Sequence, residues 1–261
     1  MDRLSTSLLA LFTGLAEPAP QTLPVPAWQR HLDATGAKGT FVLFEPAEER
    51  WRVLDPARAH RRVPPAATFE IANALVGLEV GSIADENEVF PWDGRPKPVA
   101  AWERDHTLDS GLREGVVWMS QEVARRTGKA RMLEWLERLE YGNRDLAGGI
   151  DLFWLQGGLR VSAMEQVRFL YRLAEGRLPM TQRAQRLVRR ALVAEKTRSR
   201  TLYAKSGAAA GREPVQWWIG WIERRGRPEA FFALNVTPGP GSAPGDRPAI
   251  GRAILREAGV L

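Results

Sequence analysis

Apolar residues alternate with polar ones near both ends of the chain and recur at helical spacing through its middle. Gly39-Thr40-Phe41-Val42-Leu43-Phe44 is β-prone, residues 46–50 have turn character, and Trp51-Arg52-Val53-Leu54 returns as a second strand. After Pro64-Pro65 the spacing predicts a helix over 66–80 that Gly81 terminates. From about 85 to 190 the chain reads as mostly helical, with amphipathic segments over 116–126, 129–139 and 162–175. Ser162 followed by Glu165 forms a capping box for the third of these. The last third turns to strands over 201–204, 215–223 and 230–236. The last two flank Arg224-Arg225-Gly226-Arg227 as a hairpin, and a closing helix fits 249–258. Strands at both ends around a helical middle imply an α+β design, an antiparallel sheet with helices packed on it.

The first residues read differently. Arg3 precedes the moderately apolar stretch 4–16, and Gly14-Leu15-Ala16 has the small residues a signal peptidase prefers. Pro18, Pro20, Pro24 and Pro26 then suit an extended linker. Residues 1–24 are therefore expected to be a signal peptide or linker, which points to an exported, periplasmic protein. An amphipathic N-terminal helix on a cytoplasmic protein is the alternative. Residues 25–261 form one domain with a helical lobe over about 66–190.

Composition narrows the chemistry. The chain has 261 residues, 44% hydrophobic and 26% charged, which is ordinary for a globular protein. No apolar run approaches the roughly 18–20 residues of a membrane span. Cysteine is absent, and histidine occurs only as His31, His60 and His106. Thiolate nucleophiles and Cys-bearing metal sites are excluded, and histidine triads are disfavoured. No metal and no cofactor are expected, and the acidic loop Asp85-Glu86-Asn87-Glu88 reads as a solvated turn. The net charge of +6 is spread along the chain. Its densest stretch, 183–200, carries Ala184, Leu187, Val188, Ala191 and Leu192 at helical spacing between arginines. That pattern makes it a solvated helix face and not a nucleic-acid site.

Several short motifs follow one another in an informative order. Pro65-Ala66-Ala67-Thr68-Phe69-Glu70-Ile71 opens the first long helix, and Gly115-Val116-Val117-Trp118 opens the next. Tyr141-Gly142-Asn143, Asp151-Leu152-Phe153-Trp154 and Lys205-Ser206-Gly207 come after them. Trp217-Trp218-Ile219-Gly220-Trp221 then precedes Phe231-Phe232-Ala233-Leu234-Asn235. The ordered set resembles the class D (oxacillinase) β-lactamases, within the penicillin-recognising serine enzymes, from about Gly39 to Gly259. The resemblance implies their fold, an antiparallel sheet flanked by terminal helices with an all-helical lobe. It also implies acyl-enzyme chemistry. In that family a Ser-x-x-Lys turn supplies the nucleophile and an N-carboxylated lysine base, and a second serine relays protons. A Lys-Thr/Ser-Gly strand with a later arginine binds the substrate carboxylate, and a tryptophan holds the carbamate.

Carried onto this chain, the pattern breaks where the chemistry would be done. The nucleophile position is Ala67, the carboxylated-lysine position is Glu70 and the second-serine position is Gly115; each replacement removes the functional group needed. Trp154, Lys205, Ser206, Gly207 and Arg247 match the groove, as do Tyr141 and Asn143. The N–H groups of Ala67 and Ala208 are oxyanion-hole candidates because backbone donors need no particular side chain. Glu70 is expected to pair with Lys205 and fill the vacated polar site. The leading expectation is a pseudoenzyme that binds a β-lactam, a peptidoglycan-like carboxylate or a protein partner without covalent chemistry. The alternatives are a hydrolase using Ser206 or Thr68 as nucleophile, and an interaction module whose groove is vestigial.

Overall fold

The computed structural model describes residues 22–210, 213–239 and 246–261. The leader assigned to 1–16 lies outside the described residues. The described residues begin with strand β1 (Thr22–Pro24), so the last three residues of the expected linker are in the sheet. There follow α1 (Gln29–Asp33), β2 (Lys38–Glu45), β3 (Arg50–Leu54) and α2 (Pro56–His60). The helical middle holds α3 (Glu70–Glu79), α4 (Leu108–Glu114), α5 (Val117–Thr127), α6 (Lys129–Arg138), α7 (Ala163–Ala174) and α8 (Gln182–Ala191). β4 (Val193–Lys196), β5 (Arg200–Ala209), β6 (Val215–Arg224), β7 (Arg227–Thr237) and α9 (Asp246–Glu257) complete it.

The seven strands run in the order β1-β3-β2-β7-β6-β5-β4. All neighbours are antiparallel except β1 on β3. Because side chains alternate across a strand, Val42 and Phe44 enter the core shared with α3 and α7, while Phe41 and Leu43 enter a second core under α1 and α9. Trp217 and Trp221 join the first core and Trp218 the second, all at most 3% exposed. An apolar sheet of this kind needs helices on both faces, and the two ends of the chain supply those of the second face.

Several local expectations hold. The Ser162–Glu165 capping box closes with hydrogen bonds of 3.2 and 2.9 Å. The β6–β7 hairpin turns on Arg225 and Gly226, both with positive φ (52° and 77°), as the primed two-residue turn requires. Three expectations need correction. The helix of the arginine-rich stretch ends at Ala191, and 193–196 pair with β5 as a strand. Its face is partly ion-paired: Arg183 meets Glu86 at 3.0 Å and Arg189 meets the buried Glu223 at 2.8 Å. The middle is interrupted by a helix-free stretch over 142–160, rich in glycine, and by another over 84–99. Among the described residues no helix is long and apolar enough to cross a membrane, and no group of three or more acidic or histidine side chains could hold a metal.

Candidate functional site

The site forms where the start of α3 meets β5. A 3-10 turn, Ala66–Phe69, leads into α3, and Ala66 at its mouth is left-handed (φ 51°). Such a conformation costs a residue with a side chain about 1–2 kcal/mol. Here it is held by the Ala66 N–H donating to the Trp154 carbonyl at 3.1 Å. Trp217 Nε1 secures the chain two residues earlier by donating to the Pro64 carbonyl at 2.8 Å. Ala67 is half-buried at the lip of the turn. Thr68 faces inward and is fully buried; its hydroxyl donates to the Pro65 carbonyl (2.6 Å) and accepts from Gln166 Nε2 (2.7 Å).

Glu70 is the first residue of α3, three positions after Ala67 and on the same side of the helix. Its carboxylate is fully buried, with Lys205 Nζ 2.7 Å from Oε2, so the pair expected from the sequence is formed. Lys205 also donates to the Leu112 carbonyl at 2.6 Å. Burial pushes the Glu70 carboxyl above its usual range, against the opposing pull of the Lys205 ammonium and the Ser120 hydroxyl.

Gly115 caps α4 in the left-handed region (φ 63°). A Cβ there would stand 3.3 Å from Lys205 Nζ and 3.8 Å from Glu70 Oε2. Glu70 and Gly115 thus meet at Lys205, while Ala67 lies against Gly207, two residues further along β5. Trp154 is fully buried in an aromatic cluster, with ring centroids 5.3 Å from Phe69 and 5.0 Å from Phe153. Among the described residues its indole N–H finds no acceptor.

On β5 the register pairs Lys205 with Ile219 and Ser206 with Trp218. Alternation therefore sends Lys205 toward Glu70 and Ser206 to the opposite face, the one covered by α9. Gly207 lies so close to the turn that a Cβ would meet the Thr68 and Ala67 nitrogens at 2.9 and 3.0 Å. This close approach is what sets the Ala67 N–H beside the strand, with exposed Ala208 next along it. Arg247, in the first turn of α9, is half-buried, with Nε and Nη1 unpartnered among the described residues. Burial depresses its pKa.

Tyr141 is buried against Phe69 (5.8 Å), and Asn143 braces its own loop through the Gly158 carbonyl and the Arg160 N–H. His106 pairs with Phe90 through backbone hydrogen bonds, and its ring contacts Ser110 Oγ and Trp118, a structural position. Glu86 and Glu88 of the acidic loop are held by Arg183 and Arg126. Sequence reasoning missed Ser120 and Asn73. Asn73 Nδ2 donates to the Ser120 carbonyl at 2.8 Å, and with Glu70 both residues line a small cavity of about 10 Å³. Their signal was spacing: Asn73 is one turn after Glu70 on the buried side of α3.

Residues 39–256 match the family model of the penicillin-binding protein transpeptidase domain. Among curated proteins, the chain is 35% identical to β-lactamase OXA-48 of Klebsiella pneumoniae, with 97% of this chain and 96% of that one covered. It is 39% identical to β-lactamase OXA-10 of Pseudomonas aeruginosa, with 80% of each covered. Among solved structures, the class D β-lactamase FUS-1 (OXA-85) of Fusobacterium nucleatum subsp. polymorphum superposes with a TM-score of 0.86 at 32% identity, over 90% of this chain and 98% of that one. The class D YbXI structure from Nostoc gives 0.85 at 30%, over 90% and 99%. With such matches running the length of the domain, the chain belongs to the penicillin-binding transpeptidase family, on its class D β-lactamase branch.

Proposed function

We propose that this protein is a class D β-lactamase-like pseudoenzyme. In this reading it is exported and holds a β-lactam or cell-wall peptide carboxylate in its groove without forming a covalent bond. The observation that carries the reading is the combination at one point of Ala67, with no attacking atom, and Glu70, whose carboxylate is committed to Lys205 at 2.7 Å. Acyl transfer needs a nucleophile and a base within reach of it. Ala67 offers only a methyl group, and Glu70 is sealed away from solvent.

The alternative nucleophiles fit poorly. The Thr68 hydroxyl is buried and engaged at both its donor and acceptor sides. Ser206 points to the other face of β5 from Lys205, so the lysine cannot deprotonate it. What remains suits recognition: the N–H groups of Ala67 and Ala208 toward a carbonyl oxygen, and Arg247 toward a carboxylate. Arg247, with two guanidinium nitrogens unpartnered among the described residues, is suited to an anionic ligand.

The test is intact-protein mass spectrometry after incubation with benzylpenicillin, together with a thermal melt. The mass should be unchanged, while the melting temperature rises with ligand concentration as binding to the folded state requires. A stoichiometric mass gain equal to an opened penicillin overturns the reading. An unchanged melt with both penicillin and muropeptides would assign the groove to the vestigial class.

A further inference from the structure

A second cavity, of about 510 Å³, opens beside Tyr141 and does not include the Glu70–Lys205 pair. Its floor is apolar, formed by the buried rings of Tyr141 and Phe169, which meet edge-on at 5.1 Å. Its walls carry four arginines, Arg62, Arg144, Arg168 and Arg172, against two glutamates, Glu140 and Glu165. The wall therefore holds a surplus of two positive charges.

Two of the arginines are committed. Arg62 forks onto Glu165, with Nε 3.0 Å from Oε1 and 3.1 Å from Oε2. Arg172 is held by Glu140 at 2.8 Å and by the Leu139 carbonyl. The other two are not. Arg168 is exposed and has its guanidinium 5.7 Å from the Trp51 ring, with no carboxylate partner among the described residues. Arg144 likewise pairs with no carboxylate there, and it projects from a left-handed backbone (φ 60°). Its loop is made rigid by Asn143, which donates to the Gly158 carbonyl and accepts from the Arg160 N–H. A neighbouring cavity of about 480 Å³ shares Arg62, Glu165 and Arg168 and adds His60, so the charged wall continues beyond the first opening.

We propose that this cavity binds a phosphate monoester with an apolar body, the phosphate between Arg144 and Arg168 and the body against Tyr141 and Phe169. A phosphate monoester is close to doubly ionised above pH 7 and so matches the surplus. Its oxygens suit guanidinium forks. A compact apolar group suits the aromatic floor. A carboxylate or sulfate ester brings one negative charge and leaves half the surplus unmet.

Phenyl phosphate is the probe, titrated calorimetrically into the full chain at pH 7.5 and low salt, with phenyl sulfate and inorganic phosphate as comparators. Phenyl phosphate should bind at least about tenfold more tightly than either comparator, a difference of about 1.4 kcal/mol. The double variant R144A/R168A should weaken phenyl phosphate by about tenfold or more, with an unchanged melt because both side chains are on the surface. Arg183→Ala, at an arginine paired elsewhere, should leave binding as it was. Absence of binding at millimolar probe, equal affinity for phenyl sulfate, or wild-type affinity in R144A/R168A each overturns the proposal. Equal affinity for inorganic phosphate also does, since it removes the apolar floor from recognition. None of these readouts involves penicillin, so the outcome is independent of the groove's function.

Discussion

Removing either partner of the Glu70–Lys205 pair should damage the fold far more than removing both. The pair is almost dry, with side chains 0% and 5% exposed and 2.7 Å between Nζ and Oε2. In Glu70→Gln the Lys205 ammonium keeps only the Leu112 carbonyl as a strong partner, and a buried charge is left uncompensated. Such breakage costs about 3–5 kcal/mol, whereas exchanging a whole buried pair for apolar residues of similar volume is about neutral or stabilises by up to ~4 kcal/mol. At about 2–4 °C per kcal/mol for a domain near this size, Glu70→Gln should melt about 6–20 °C below the parent. The double variant Glu70→Met/Lys205→Met should melt near the parent or above it. Urea unfolding at pH 7 gives the two free energies directly.

A Glu70→Gln variant within about 1 kcal/mol of the parent at pH 7 would refute the argument, because the lysine would then not depend on its counter-ion.

Two further outcomes follow from the same site. Gly207→Ala should lose about 1–3 kcal/mol on unfolding in urea, since its Cβ would press on the Thr68 and Ala67 nitrogens at 2.9 and 3.0 Å; a wild-type value would mean that β5 is free to withdraw from the turn. Ala67→Ser, Glu70→Lys and Gly115→Ser together, with bicarbonate present, should restore slow acylation and nitrocefin turnover, whereas each alone achieves little because such groups act as one unit. The triple variant should be less stable than the parent, because the Gly115 replacement is left-handed and crowds Lys205 Nζ at 3.3 Å. A folded triple variant that remains inert would show that the surrounding groove has been remodelled as well.

The sequence was most informative where physics is local. The capping box at Ser162, the two-residue turn at Arg225-Gly226 and the core stripe of α8 need only neighbours a few residues away, and each formed where its residues stand. Reading failed where a distant partner decides. Val193-Ala194-Glu195-Lys196 continues the helix pattern in composition, yet its backbone pairs with β5 and becomes an edge strand. Thr22-Leu23-Pro24 carries the signs of a linker until β3 offers it a parallel neighbour. The helix-free stretch over 142–160 announced itself through Gly142, Gly148, Gly149, Gly157 and Gly158, a signal that the surrounding helical periodicity obscured.

At the candidate site the same division holds at the level of atoms. Residue types showed which groups were present, and the pairing of Glu70 with Lys205 was anticipated because the family resemblance sets both positions on one cavity. No sequence pattern discloses that Trp154 Nε1 is left without an acceptor. Glu70 reaches Lys205 from the start of α3 but does not extend to the indole. Left-handed Gly115 leaves open the space a side chain would take there, 3.3 Å from Lys205 Nζ. The turn that carries Ala67 and Glu70 is held by hydrogen bonds that do not use their side chains, from the Ala66 N–H to the Trp154 carbonyl at 3.1 Å and from Trp217 Nε1 to the Pro64 carbonyl at 2.8 Å. This is why side-chain reversal, and not redesign of the backbone, is the informative experiment on this groove.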